Sequence, residues 1–228
     1  MKILYRISNN SLPKTKICDK FTSFKNFIRV FDGYDIYVFG DNINEETEEF
    51  IAPYVINQKV KFQKLNGLGN AKSFLYIIQF AIDNFDRDEL VYLVEDDYLH
   101  LNGAPLALGE AINLQADYLT LYDHPDKYSS EYNYGMDSVR VVPTSNFHWK
   151  QTISTTMTFA TTPAVLKRDI EIWTRATNSN PPTDHQAFLE LRQQERTLFS
   201  CIPGQSTHTE ALFLSPISNW FEVINAKA

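Results

Sequence analysis

The chain opens on an apolar run at residues 2–7 that breaks at Asn9, Asn10 and Pro13, which predicts a first strand and a loop. Phe24, Phe27, Ile28 and Phe31 then recur at the spacing of a helix over 21–31, ended by Asp32-Gly33. A second strand is predicted at 34–39, closed by Gly40-Asp41-Asn42. An acidic helix with its charges on a solvated face follows around 45–54, then a third strand at 60–65. The turn Asn66-Gly67-Leu68-Gly69-Asn70 leads into a long helix over 71–84. Residues 90–94 are apolar on both faces, as a central parallel strand requires, and run straight into Glu95-Asp96-Asp97. A helix over 104–114 and a fifth strand over 118–122 continue the alternation. This rhythm predicts an α/β domain with a mainly parallel central sheet flanked by helices.

The second half is less regular. The polar, aromatic stretch at 128–134 reads as a loop, and 126–134 is expected to be mobile and to order on binding. Strands are predicted at 138–142 and 155–159, a helix at 163–176 with Pro163 in its first turn, and another at 182–193 capped by Thr183 or Asp184. A last strand is predicted at 197–201. This half is expected to form a smaller mixed or antiparallel region. No repeat, low-complexity segment or flexible linker divides the chain. The expectation is one domain over 1–228, with two halves at 1–123 and 124–228.

Composition narrows the classes. At 228 residues the chain is long enough to bury a core without staples. Its net charge of −7 argues against nucleic acid as a partner, since such binding needs a basic surface. A nucleotide stays admissible, because a bound divalent cation offsets local acid charge. Cys18 and Cys201 form no disulfide framework and no metal-ligand spacing, and read as idle or buried thiols. The apolar run at the start is too short for a signal peptide, and no stretch has the length to span a bilayer. The reading is a soluble, cytoplasmic protein.

Three carboxylates directly after a buried strand are the most informative feature. In open parallel sheets ligands bind at the carboxyl ends of strands. Packed like charges need neutralising, and a hard divalent cation prefers oxygen ligands. An exposed acidic turn is the plain alternative. The stretch Val91-Tyr92-Leu93-Val94-Glu95-Asp96-Asp97 resembles the Asp-X-Asp-type motif of GT-A glycosyltransferases, in a Glu-Asp-Asp form. That resemblance implies a Rossmann-like GT-A domain and Mn²⁺ or Mg²⁺ held by Asp97 on a donor diphosphate, with Glu95 and Asp96 assisting.

Three further stretches fall in the family's order. The turn containing Gly69, followed by Ala71-Lys72, resembles the start of a donor-binding helix, with Lys72 reaching the diphosphate or bracing the acids; a simple helix-entry turn is the alternative. Pro181-Pro182-Thr183-Asp184 resembles the helix start that carries the catalytic base of inverting members. That implies Asp184 as base, although an Asp there also serves as a plain cap. His208 lies where the family supplies a late metal ligand, and an imidazole favours Mn²⁺.

The resemblance also places the nucleotide against Arg6, Ser8 and Asp41, the last of which reads equally as a turn residue. UDP is favoured, with GDP and dTDP open. Asp123, His124, Tyr128, His148 and Trp149 suit a sugar acceptor by mixing aromatic faces with polar groups. The implied activity is metal-dependent transfer of a sugar from a nucleotide-diphosphate donor to an acceptor hydroxyl of a glycan or glycoconjugate, with inversion. If Asp184 only caps its helix, retention returns. Rivals are a sugar-nucleotide-forming nucleotidyltransferase, a non-enzymatic carbohydrate-binding module and a metal-independent glycoside hydrolase. The first should carry a glycine-rich basic loop after the first strand, and SNNSLPKTK has no glycine.

Overall fold

The computed structural model describes residues 1–9, 15–128, 140–179 and 181–225. The first half alternates as its hydrophobic pattern requires: β1 (Lys2–Ser8), α1 (Lys20–Val30), β2 (Asp35–Asp41), α2 (Glu45–Ile56), β3 (Lys61–Leu65), α3 (Asn70–Asn84) and β4 (Val91–Glu95). Then come β5 (Tyr98–His100), α4 (Ala104–Ala111) and β6 (Tyr118–Thr120). The second half holds β7 (Val141–Pro143), β8 (His148–Gln151), β9 (Phe159–Thr161), α5 (Pro163–Arg168), α6 (Ile170–Ala176), α7 (Asp184–Gln193), β10 (Leu198–Ile202), β11 (Ser206–His208) and α8 (Trp220–Asn225).

Among the described residues nine strands make one sheet in the order β3-β2-β1-β4-β9-β6-β10-β8-β7. The chain moves outward from β1 to β3, then returns to add β4 on the other side of β1. The strand order therefore reverses between β1 and β4, which pair in parallel, and such a switch point opens a crevice at the strands' carboxyl ends. β9 runs antiparallel between β4 and β6, and β10 is parallel to β6. The mixed region expected in the second half is thus a continuation of the same sheet. A two-stranded ribbon, β5 with β11, stands apart at the carboxyl edge.

Period-two alternation divides each strand between two cores. Ile3, Tyr5, Ile7, Tyr92 and Val94 face α1, α2 and α4 on one side. Leu4, Phe39, Val91 and Leu93 face α3 and the α5–α7 layer on the other. There Phe159 stacks on Trp173 at 5.1 Å, with Tyr118 and Phe188 edge-on to it. Aromatic pairs of this kind add about 0.5–1.5 kcal/mol each beyond area burial. Among the described residues no helix is long and apolar enough to cross a membrane.

Three expectations are corrected. The helix over 163–176 is broken at Asp169, whose buried carboxylate accepts from Tyr118 Oη at 3.0 Å and Arg196 Nε at 2.9 Å. The strand expected at 155–159 begins only at Phe159. The threonines before it give their hydroxyls to distant partners instead of flanking a ladder: Thr155 bonds Thr120, Thr156 bonds Tyr98, and Thr158 accepts from Glu95 N. The strand expected at 138–142 begins at Val141; residues 138 and 139 lie outside the described residues, as does most of the loop expected at 126–134. β5, β8 and β11 are three or four residues long and give too short a pattern to be read.

Candidate active site

The crevice at the switch point is built by strand register. Arg6 and Glu95 are Cα partners across β1 and β4. Alternation turns both toward α3, where Arg6 Nη2 donates to Glu95 Oε1 at 2.5 Å. Arg6 Nη1 also donates to the Asn70 carbonyl at 2.5 Å, to Ser73 Oγ at 3.1 Å and to the Asn70 side chain. The cation bracing the acidic motif is therefore Arg6. Lys72, given that role from sequence, is exposed on α3 and makes no contact with the acids among the described residues. The Arg6 guanidinium is thus taken up by the brace.

Each acid of the motif has its own partner. Asp96 Oδ2 accepts from the Ser8 N–H at 2.7 Å, which closes the end of β1 onto the turn. Asp97 Oδ2 lies 3.1 Å from both Lys16 Nζ and His208 Nε2. Burial raises the Glu95 carboxyl to about 7 against the pull of Arg6, with the charges of Asp97 and Asp184 pushing the same way as burial. Burial likewise raises Asp96, helped by the Asp97 charge and opposed by the Ser8 N–H. For Asp97 burial is overcome: His208 and Lys16 together hold its carboxyl well below the usual range. Three acids side by side thus carry unequal proton affinities, with Asp97 the one kept ionised.

The late histidine reaches the acids through the ribbon. β5 pairs with β11 so that Tyr98 opposes His208, and the Thr209 N–H donates to the Asp97 carbonyl at 2.8 Å. The His208 ring stands edge-on to Tyr98 at 5.3 Å. Its Nδ1 accepts from the Glu210 N–H at 3.0 Å, so the ring proton sits on Nε2, facing Asp97.

This donor set fits a divalent cation in one defined way. Asp97 and His208 converge, but the chain brings no group of three or more His, Cys, Asp or Glu together for a metal among the described residues. A cation here would complete its shell with water or with oxygens of a bound diphosphate, the usual habit of Mg²⁺ in phosphate sites. Coordination by Nε2 also requires the ring to give up the Glu210 bond, which costs about 0.5–1.5 kcal/mol.

The glycine turn is held from below. Asp41 is buried, and its two oxygens accept from the Leu68 and Gly69 N–H groups at 2.8 Å each. Gly67 and Gly69 have φ of +68° and +82°, which other residues rarely adopt. Asp41 thus shapes this turn, the turn-residue role that its sequence position also suggested.

Asp184 is the first residue of α7, after the N-cap Thr183. One of its oxygens accepts from the His185 N–H at 2.7 Å. Burial raises its carboxyl above the ordinary value, and the nearby charges it feels include His124; its own charge acts on Glu95. The base candidate, the acidic turn and His124 therefore share one electrostatic neighbourhood. Asp123 is buried at the end of β6 and accepts from Tyr128 Oη at 2.7 Å, while Tyr128 itself is 56% exposed. His124 pairs with Asp126 at 2.7 Å.

The other two acceptor candidates separate. His148 is exposed on β8, opposite Ile202 of β10. Trp149 is fully buried in the α1 and α4 core, opposite Cys201, so it has no face for a sugar; that expectation is corrected. Sequence reasoning missed Lys16 and Lys20. Lys20 Nζ donates to Asn9 Oδ1 at 2.9 Å and Thr47 Oγ1 at 2.8 Å beside the end of β1. Both follow a loop with no periodicity, and only the density of lysines at 14, 16 and 20 hinted at them.

No family model matches the chain, and no curated protein matches it in sequence. Solved structures share its fold. S. aureus TarS 1-349 in complex with UDP-GlcNAc aligns with a TM-score of 0.53 and 12% identity over 100% of this chain and 62% of that one. TarS 1-349 alone gives 0.51 and 13% over 87% and 57%. A CMP:2-keto-3-deoxy-manno-octonic acid synthetase complexed with CTP gives 0.50 and 10% over 87% of each chain. The chain thus spans about 57–62% of the TarS chains. At these identities the likeness establishes the fold alone, an α/β domain of GT-A-like architecture.

Proposed function

We propose that the protein is a glycosyltransferase that moves a sugar from a nucleotide-diphosphate donor, with UDP favoured, to an acceptor hydroxyl with inversion. The observation that carries this reading is the meeting of Asp97 and His208, from opposite parts of the chain, at the switch point of the sheet. The likeness to a TarS complex with UDP-GlcNAc supports it.

In this reading Asp97 and His208 hold the cation, Mn²⁺ before Mg²⁺, and the cation supplies Lewis-acid neutralisation of the diphosphate. Arg6 fixes Glu95 and the start of α3, which keeps the glycine turn open to phosphate. Ser8 and Asp96 define the wall on the β1 side. Asp184, with its raised proton affinity, takes the acceptor proton, and Asp123, His124 and Tyr128 orient the acceptor.

One observation favours a second reading, the sugar-nucleotide-forming nucleotidyltransferase: the CTP-bound synthetase matches this chain over 87% of both. A thermal-shift panel of nucleotide sugars and nucleoside triphosphates, with and without Mn²⁺, separates the two. A ligand at a hundred times its Kd stabilises by about 2.7 kcal/mol, or roughly 5–10 °C for this size. Transfer is supported if a UDP-sugar with Mn²⁺ gives the largest shift and Asp97→Asn loses the Mn²⁺-dependent part. A shift confined to triphosphates, or one that survives Asp97→Asn intact, goes against it.

A further inference from the structure

The Asp97 carboxylate already has a cation of the chain's own. Lys16 Nζ lies 3.1 Å from the same oxygen, Oδ2, that faces His208. The backbone beneath Lys16 is fixed. Lys16 and Glu210 form an antiparallel bridge, the Ile17 N–H donates to the Thr209 carbonyl at 2.9 Å, and the Ala211 N–H donates to the Thr15 carbonyl at 2.9 Å. The Thr209 N–H in turn reaches the Asp97 carbonyl. Lys16, Asp97 and His208 therefore hang on one hydrogen-bonded frame, and the part free to yield is the four-carbon stem of the lysine.

We infer that Lys16 is a resident counter-cation: it holds Asp97 while the donor site is empty and gives it up to a divalent cation arriving with a diphosphate. The inference rests on the donor-site reading above. An ammonium and a divalent cation compete for one carboxylate oxygen, so each lowers the other's hold on it. Once displaced, the ammonium remains within the crevice as a point-charge partner for phosphate oxygens. Lys16 is thus a positioning residue in the empty site and a phosphate contact in the filled one. It also keeps three adjacent acids from facing one another uncompensated.

The test reads binding rather than turnover. Mn²⁺ affinity of the nucleotide-free protein is measured from the electron paramagnetic resonance of free Mn²⁺, and UDP affinity without metal by calorimetry. The proteins compared are wild type, Lys16→Met, Lys16→Gln and Lys16→Arg, each checked for folding by circular dichroism. Either neutral variant is expected to bind Mn²⁺ about three- to tenfold more tightly, and metal-free UDP more weakly by a similar factor, as fits loss of one partly buried ion pair. Lys16→Arg keeps the charge and stays near wild type. Unchanged or weaker Mn²⁺ binding in the neutral variants overturns the inference, as does Lys16→Arg behaving like Lys16→Met. If wild type binds Mn²⁺ with UDP through Asp97, judged by Asp97→Asn, while the Lys16 variants match it, Lys16 alone loses its role. If wild type binds neither UDP nor Mn²⁺, the donor site falls and takes Lys16 with it.

Discussion

Arg6 and Glu95 face each other across neighbouring parallel strands, in register and on the same side of the sheet, joined by a charge-assisted hydrogen bond of 2.5 Å. Its other amino group, Nη1, donates to the first turn of α3. One side chain thus ties together the β1 strand, the acidic turn and the helix that follows the glycines. Arg suits the task because its fork offers several donors in a fixed plane.

Arg6→Met is expected to destabilise the fold by roughly 3 kcal/mol, because it strands a half-buried carboxylate and three acceptors on α3. Urea unfolding measures it. Adding Glu95→Gln should restore part of that loss, and a double mutant as unstable as the sum of both singles would contradict the coupling.

The raised Glu95 carboxyl sets a pH dependence. The folded state binds its proton more tightly than the unfolded chain, so folded protein holds more protons between about 4.5 and 7. Stability is then expected to fall as pH rises through that window, with the loss complete above it. Melting curves across pH 4–8 should show this decline in wild type and a shallower one in Glu95→Gln. Asp97 works in the opposite sense at lower pH, where protonation removes its stabilising pairs with His208 and Lys16.

For Asp184→Asn the expected result is a loss of at least about 100-fold in turnover, with donor affinity within about twofold of wild type. Transfer kinetics and UDP calorimetry in parallel decide it. Turnover within a few-fold of wild type would leave Asp184 as a helix-start residue and return a retaining outcome to consideration.

Trp149→Ala should cost about 3–5 kcal/mol in urea unfolding, the range for removing a large buried aromatic. A residue serving as a sugar platform would instead be nearly neutral for stability.

The first half of the fold was legible because its strands and helices carry long, clean periodicities. β1, β4 and α3 fall within a residue or two of their expected bounds. The acidic turn was legible for the same reason, as a polar break after an unbroken apolar strand. What escaped depended on pairing rather than pattern. β5 and β11 are short, and nothing local announces that Tyr98 will oppose His208. Lys72 and Arg6 were equally basic on paper; only register turned one toward the acids and left the other exposed. Trp149 reads as a binding aromatic until alternation along β8 sends it inward while His148 goes out.

β9 has a consequence for how the protein is put together. Among the described residues it is the ninth of eleven strands in chain order, yet it lies between β4 and β6 and bonds to both. A fragment ending at residue 123 would expose the open edges of two interior strands where β9 belongs, with their apolar faces uncovered by the helices that follow it. The segments before and after residue 123 are therefore not interchangeable modules. Shuffling one of them onto another partner would require carrying β9 and its following helices along.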